Sequence, residues 1–344
     1  MANVSYLVRT FCATYNHESY ITDALKGFVM QETSFPVVYT IVDDASTDKT
    51  AEVLRQFVND HFVVSLHDGG YDKDTDYGHV TFARHKTNTN CFFAVIYLKE
   101  NHYSQKKSKA PYLTEWMDTK YIALCEGDDY WIDPLKLQKQ VDFLEAHNEY
   151  SLCCHRYKIY NQNNGTWDAD YVKELFDEHP DGFSFSNKEN LNTWITKTLS
   201  LVYRRDCYDS KDLKKYKYTC DEHSCYHMLK KGMGYCFPFF GGVYRRCDVG
   251  VYSTLSPEMK EKRFFLIRAE MLQYNLEDKE LRNVLFVYTR ENLSSHILYR
   301  EMRIAAMTCL QSFYRTDGFW TMLRAVWKFL KSYVYGLKTK KRNV

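Results

Sequence analysis

Strand-length apolar runs alternate with helix-period segments over the first 150 residues, and this alternation limits the folds open to the chain. "VSYLVRTFCA" (4–13) reads as a strand. "HESYITDALKGFVMQ" then places Ile21, Ala24, Leu25, Phe28 and Val29 at helical spacing. "FPVVYTIVDD" (35–44) is a β-branched run of buried-strand length. "STDKTAEVLRQFV" follows, with hydroxyl and Asp residues suited to an N-cap and Val53, Leu54, Phe57 and Val58 on one stripe. "CFFAVIYL" (91–98) and "YIALC" (121–125) are two more strands. Asp133-Pro134 then opens a helix in which Leu137, Val141 and Leu144 recur. The pattern predicts an α/β fold, a mostly parallel sheet flanked by helices on both faces, with ligands at the carboxyl ends of the strands.

Two acidic clusters fall at such ends. Asp43 and Asp44 close one strand, and "CEGDD" puts Glu126, Asp128 and Asp129 after another. Carboxylates so close repel unless a cation or hydrogen-bond donors compensate them. The first pair either caps the following helix and favours its dipole, or accepts an imide N–H such as a pyrimidine base presents. The second cluster is either a solvated loop or a hard oxygen site for Mg²⁺ or Mn²⁺ bridging diphosphate oxygens.

The remainder is less regular. "SLHDGGYDKDTDYGHVTFARHKTNTN" (65–90) is polar and without period, a long surface loop or small hairpin. Between 151 and 250 the pattern is irregular, with short strands such as "SLVYRR" and "YCFPFFGGVYRR". From 256 to about 330 it turns helical, with Ser256 as cap and Pro257 in the first turn.

Formal net charge is only +2, which gives nucleic-acid binding no support. The charge is unevenly placed. Residues 301–344 hold nine Lys/Arg against two acidic residues, leaving a net of −5 on the first 300. "WTMLRAVWKFLKSYVYGLKTKKR" (320–342) sets Leu323, Val326, Leu330, Val334 and Leu337 on one face and Arg324, Lys328 and Lys331 on another. Such a tail either lies on an anionic membrane surface or packs as a terminal helix. Eleven scattered cysteines without paired CxxC motifs argue against zinc and for buried reduced thiols. With no secretory signal and no membrane-spanning run, the expected location is cytoplasmic, with peripheral attachment to the inner membrane face through the tail.

"ATYNHESYITDALKGFVMQ", "VYTIVDDASTDKT" and "KYIALCEGDDYWIDPLKLQKQVDFL" resemble, in order and spacing, the family 2 glycosyltransferases, inverting enzymes of the GT-A (Rossmann-like) fold. The likeness covers about residues 1–150 and continues more weakly into "TCDEHSCYHMLKKGMGYCFPFFGGVYRRCDVGVYS" (219–253), similar to a bacterial polysaccharide-biosynthesis branch.

What the resemblance implies is specific. Ala13, Tyr15 and Asn16 line a nucleoside pocket, Asp44 accepts the base's imide proton with Asp43 beside it, and Glu126 and Gly127 border the donor. Asp128 is the principal ligand of Mn²⁺ or Mg²⁺, helped by Asp129. Asp221, which can also cap its helix, is the general base that deprotonates an acceptor hydroxyl. The donor is then a nucleotide-sugar, UDP-linked, and the acceptor a growing glycan or lipid-linked saccharide. The implied organisation is a catalytic domain over 1–250, divided at 130 into nucleotide-binding and acceptor halves, and a helical extension over 251–344.

Three positions depart from the family pattern: Ala13, Glu126 in place of Asp, and Cys247 where a His is expected near the metal. A non-catalytic glycan- or nucleotide-binding homologue is one alternative. A sugar nucleotidyltransferase is another, though it needs a Gly-rich loop where this chain has "TYNHES".

Overall fold

A computed structural model of the chain describes residues 5–65, 69–217, 219–247, 255–295 and 300–340, apart from the side chains of 294, 295 and 336–340. It divides into two compact units. The first comprises Met1–Phe185, Trp194–Tyr208 and Met228–Cys247, and the second Ser186–Thr193, Asp209–His227 and Asp248–Val344. The boundary expected at residue 250 lies outside the described residues, and two segments that precede it group with the helical unit.

The first unit is built on one sheet. Its strands are β1 (Val8–Thr14), β2 (Val37–Asp43), β3 (Phe62–Val63), β4 (Tyr71–Thr75), β5 (Gly78–His85), β6 (Cys91–Leu98), β7 (Tyr121–Leu124), β8 (Tyr130–Trp131), β9 (Tyr150–Asn161), β10 (Thr166–Asp168), β11 (Phe183–Phe185), β12 (Val202–Arg204) and β13 (Met233–Arg246). Helices α1 (Ile21–Val29), α2 (Thr50–His61), α3 (Lys136–Ala146) and α4 (Lys173–Glu178) come between them.

The strand order is β11-β13-β9-β12-β7-β1-β2-β6-β5-β3, with β10 on β9, β4 on β5 and β8 on β13. The block β7-β1-β2-β6 is parallel, as the alternation predicts. β9 and β13 also run parallel, but antiparallel strands flank both blocks, so the sheet is mixed.

Every residue of β2 is buried. Val37, Tyr39 and Ile41 face a core shared with Phe28, Leu54 and Leu137 from α1, α2 and α3. Val38 and Val42 face Phe92, Leu113 and Trp116 on the other side. That second face is covered by a 3-10 segment, Ala110–Trp116, rather than by α-helices, which corrects the expectation of helices on both faces. A short cover suffices because Tyr6, Tyr77 and Tyr112 supply large side chains beside it.

Residues 65–90 resolve as the hairpin alternative, since β4 and β5 pair antiparallel and β5 joins β6. The region expected to hold short strands contains the two longest, β9 and β13. Their period is hidden by register shifts around Phe237, Phe240 and Gly242, where β13 bulges.

The second unit is helical: α5 (Asn187–Asn192), α6 (Ser210–Lys214), α7 (Asp221–Leu229, to His227 in this unit), α8 (Pro257–Gln273), α9 (Lys279–Ser295), α10 (Arg300–Asp317) and α11 (Phe319–Lys340). Ser256 caps α8 by accepting the Met259 N–H at 3.2 Å, with Pro257 in the first turn. Leu191, Leu213 and Tyr216 share a core with Phe265, Leu285 and Met302, which is why segments before residue 250 belong here.

Arg204, on β12, is buried and donates to the backbone carbonyls of Tyr150 (2.8 Å), His147 (3.1 Å) and Leu144. Replacing it by Met leaves those acceptors unpaired in the interior. Arg204→Met is expected to lower the unfolding free energy by about 2–4 kcal/mol in urea titration. A loss below about 0.5 kcal/mol would contradict this role.

Candidate active site

Register decides where the acids meet. β1 pairs Thr14 with Asp43 on one side and Phe11 with Leu124 on the other, so the ends of β2 and β7 reach the same sheet edge. The β1–β7 bonding continues into the acid loop, where Cys125 N–H donates to the Phe11 carbonyl and Gly127 N–H to the Ala13 carbonyl (2.9 Å). Gly127 has no room for a side chain, because a Cβ there would lie 2.7 Å from Thr14 Oγ1 and 3.0 Å from His17 Nδ1. Glycine is therefore dictated by close approach of the loop to β1.

One oxygen each of Glu126, Asp128 and Asp129 lies within 4.8 Å of the others. Glu126 is exposed, Asp128 half-buried and Asp129 buried. Burial, reinforced by Asp128 and Glu126, pushes the Asp129 carboxyl well above the ordinary range. Its Oδ1 accepts the Arg245 N–H at 2.8 Å. The Arg245 guanidinium then holds the loop's backbone, donating to the Asp128 carbonyl (2.9 Å), and pairs with Asp23 at 2.6 Å. Tyr20 and Tyr130 rings lie 4.9 and 5.2 Å from it.

Three clustered carboxyl oxygens form a donor set that suits a hard divalent cation. Cys247, at the position where the resemblance expects His, is buried and is not one of the three residues whose ligand atoms cluster.

The acidic pair after β2 is differently employed. Asp43 accepts from Ser46 N–H (3.1 Å) and Ser46 Oγ (2.5 Å), and burial raises its pKa. Asp44 accepts the backbone N–H groups of His102 (2.8 Å) and Tyr103 (3.0 Å) and pairs with Lys109 Nζ at 2.9 Å. It thus anchors the loop after β6.

Asn16, at φ 55°, ties the loop after β1 to the one after β2 by accepting the Thr47 N–H (2.8 Å) and donating its own N–H to Ser46 Oγ. Tyr15 is exposed and Ala13 half-buried on the same edge. Asp221 is exposed at the start of α7 in the second unit, where its neighbour Glu222 is bound to Arg268 at 2.7 Å.

Four residues at this edge were not singled out from the sequence. Arg245 adjoins Arg246 at the end of β13, and Lys109 follows Lys106 and Lys107 in the loop after β6. His17, with a buried Nδ1 lacking a hydrogen-bond partner, feels Asp128 and has its pKa lowered by burial. Lys197 acts electrostatically on Asp129 and lies 3.6 Å from the Tyr244 ring centre. Only "GVYRR" carried a usable signal.

Residues 11–90 match the sequence profile described as Glycosyl transferase family 2. That match marks a likeness to the family 2 glycosyltransferases over these residues. Uncharacterised proteins of Mycobacterium bovis and Mycobacterium tuberculosis are 34% identical to it over 161 residues, 46% of this chain. The chain covers only 37% of those relatives' length. Staphylococcus aureus TarS residues 1–349 share the GT-A-like fold, with a TM-score of 0.54 at 16% identity, covering 98% of this chain and 92% of that one. The same TarS fragment solved with UDP-GlcNAc gives a TM-score of 0.56 at 17% identity.

The raised Asp129 pKa has a stability consequence. A carboxyl that binds its proton more tightly folded than unfolded stabilises the fold at low pH, and that contribution is lost as pH rises through the folded value. A cation offsets the loss at neutral pH. Mn²⁺ is therefore expected to raise the melting temperature at pH 7 but not near pH 4, measured by differential scanning fluorimetry. Asp129→Asn, whose amide oxygen still accepts from Arg245, is expected to melt higher than the native chain without metal and to gain little from Mn²⁺.

Proposed function

We propose that the chain transfers a sugar from a uridine diphosphate sugar to a hydroxyl of a glycan or lipid-linked saccharide, with inversion. The carrying observation is the gathering of three acid-loop carboxylates on the edge that also presents the β2 acidic pair. The match of residues 11–90 to the family 2 profile and the fold shared with a TarS fragment solved with UDP-GlcNAc support the reading.

In this account Asp128, with Asp129 and Glu126, holds a divalent cation that supplies positive charge to the departing diphosphate. Arg245 keeps the loop in place by its backbone, so the carboxylates are directed without being neutralised. Asp221 takes the proton of the acceptor hydroxyl as its oxygen bonds to the sugar C1. The C1–O bond to the diphosphate breaks on the opposite face and its electron pair leaves with UDP. Asp221 is favoured over Glu222 because it is exposed, whereas Glu222 is half-buried against Arg268.

Asp44 and Lys109 form an acceptor–donor pair 2.9 Å apart. Asp44 is buried and also accepts from the His102 and Tyr103 N–H groups, so a base imide would have to displace one of these donors to reach it.

The test is UDP release from a panel of UDP-sugars with saccharide acceptors. Asp128→Ala is expected to reduce turnover by roughly 100-fold or more. Asp221→Asn should do the same while leaving donor affinity unchanged. The product of an α-linked donor should be β-linked by proton NMR, and a retained anomer would contradict inversion. Normal UDP-sugar binding without release or transfer under all conditions would instead favour the non-catalytic homologue, for which the buried Cys247 is the supporting observation.

A further inference from the structure

Helix α11 has two apolar faces, and the protein covers one of them. Ala325 and Phe329, one turn apart, are buried, with Phe329 4.7 Å from the Phe286 ring. At about 100° per residue, the opposite side carries Trp320, Leu323, Trp327, Leu330 and Val334. Their exposures are 75%, 38%, 62%, 57% and 47%. A helix packed on its own domain normally turns polar residues to that side. Here Arg324, Lys328 and Lys331 run along one border of the apolar face, and Lys331 Nζ lies 5.2 Å from the Trp327 ring. An apolar cleft of roughly 430 Å³ is lined by Phe286, Phe313, Ala325 and Trp327 together with Arg324 and Lys328.

We propose that this face docks on an anionic lipid bilayer, with α11 lying in the plane of the interface. Trp320, Trp327 and Leu330 enter the headgroup–acyl boundary, and Arg324, Lys328 and Lys331 meet lipid phosphates. Among the described residues no helix is long and apolar enough to cross a membrane, so the contact is one of lying on the surface. Charge selects this occupant. Residues 301–344 concentrate nine Lys/Arg against two acids, whereas the first 300 residues carry a net −5. A second copy of the chain would bring like cations to the seam, while anionic headgroups neutralise them.

The proposal deepens the acceptor side of the function proposed above, pointing to a lipid-linked acceptor, and only that consequence rests on the transferase reading. Lipid docking is measured without any sugar donor, so the two fail separately.

The experiment is flotation of the full chain with phosphatidylcholine vesicles and with phosphatidylcholine–phosphatidylglycerol vesicles. The chain is expected to float with the anionic vesicles alone and to be released by high salt. Each of Arg324→Gln, Lys328→Gln and Lys331→Gln should weaken partitioning about fivefold. Trp320→Phe with Trp327→Phe preserves the apolar face and should retain flotation while removing most fluorescence quenching by brominated acyl chains. Trp327→Glu with Leu330→Glu should abolish flotation while leaving the melting temperature and UDP binding unchanged. Flotation that is equal with both vesicle types, or unaffected by the charge substitutions, would overturn the proposal. So would sedimentation showing a dimer that the Trp327→Glu, Leu330→Glu variant dissociates, since a second copy would then own the face.

Discussion

Mutual repulsion among Glu126, Asp128 and Asp129 is the constraint around which the first unit is arranged. Left to itself, a loop with three carboxyl oxygens within 4.8 Å would spread or take up protons. The sheet prevents spreading through backbone. Gly127 is bonded to Ala13 and fits against Thr14 because it has no Cβ. Arg245 grips the Asp128 carbonyl and caps one oxygen of Asp129. Burial and the neighbouring Asp128 and Glu126 both disfavour the charged form of Asp129. In the proposed reading, the charge gathered here is what a cation and the diphosphate that accompanies it would meet.

Much of this was legible in the residues themselves. β2 and β6 announce themselves because a strand buried on both faces needs an unbroken β-branched and aromatic run. The helices α1 and α3 were readable because one stripe of each faces the core, and Leu137, Val141 and Leu144 are all buried. The acid loop was legible because its charges follow such a strand directly.

Other parts were not. β9 and β13 lost their period to bulges, and the second face of the sheet is covered by tyrosines and a 3-10 turn that carry no periodic signal. Lys109 and Arg245 reach the edge through long-range pairing with Asp44, Asp23 and the Asp128 backbone. A single cation far along the chain leaves no pattern by which to place it. Asp44 illustrates the same limit: its position at the strand end was clear, but its three donors from the 102–109 loop were not.

The account stands or falls on whether the acid loop is the cation seat for a nucleotide diphosphate. Calorimetric titration of UDP into the chain, with and without Mn²⁺, addresses this directly. UDP affinity is predicted to rise at least tenfold with Mn²⁺ in the native chain and to show no metal dependence in Asp128→Asn. UDP binding of equal strength with and without Mn²⁺, or a metal effect that survives in Asp128→Asn, would contradict it.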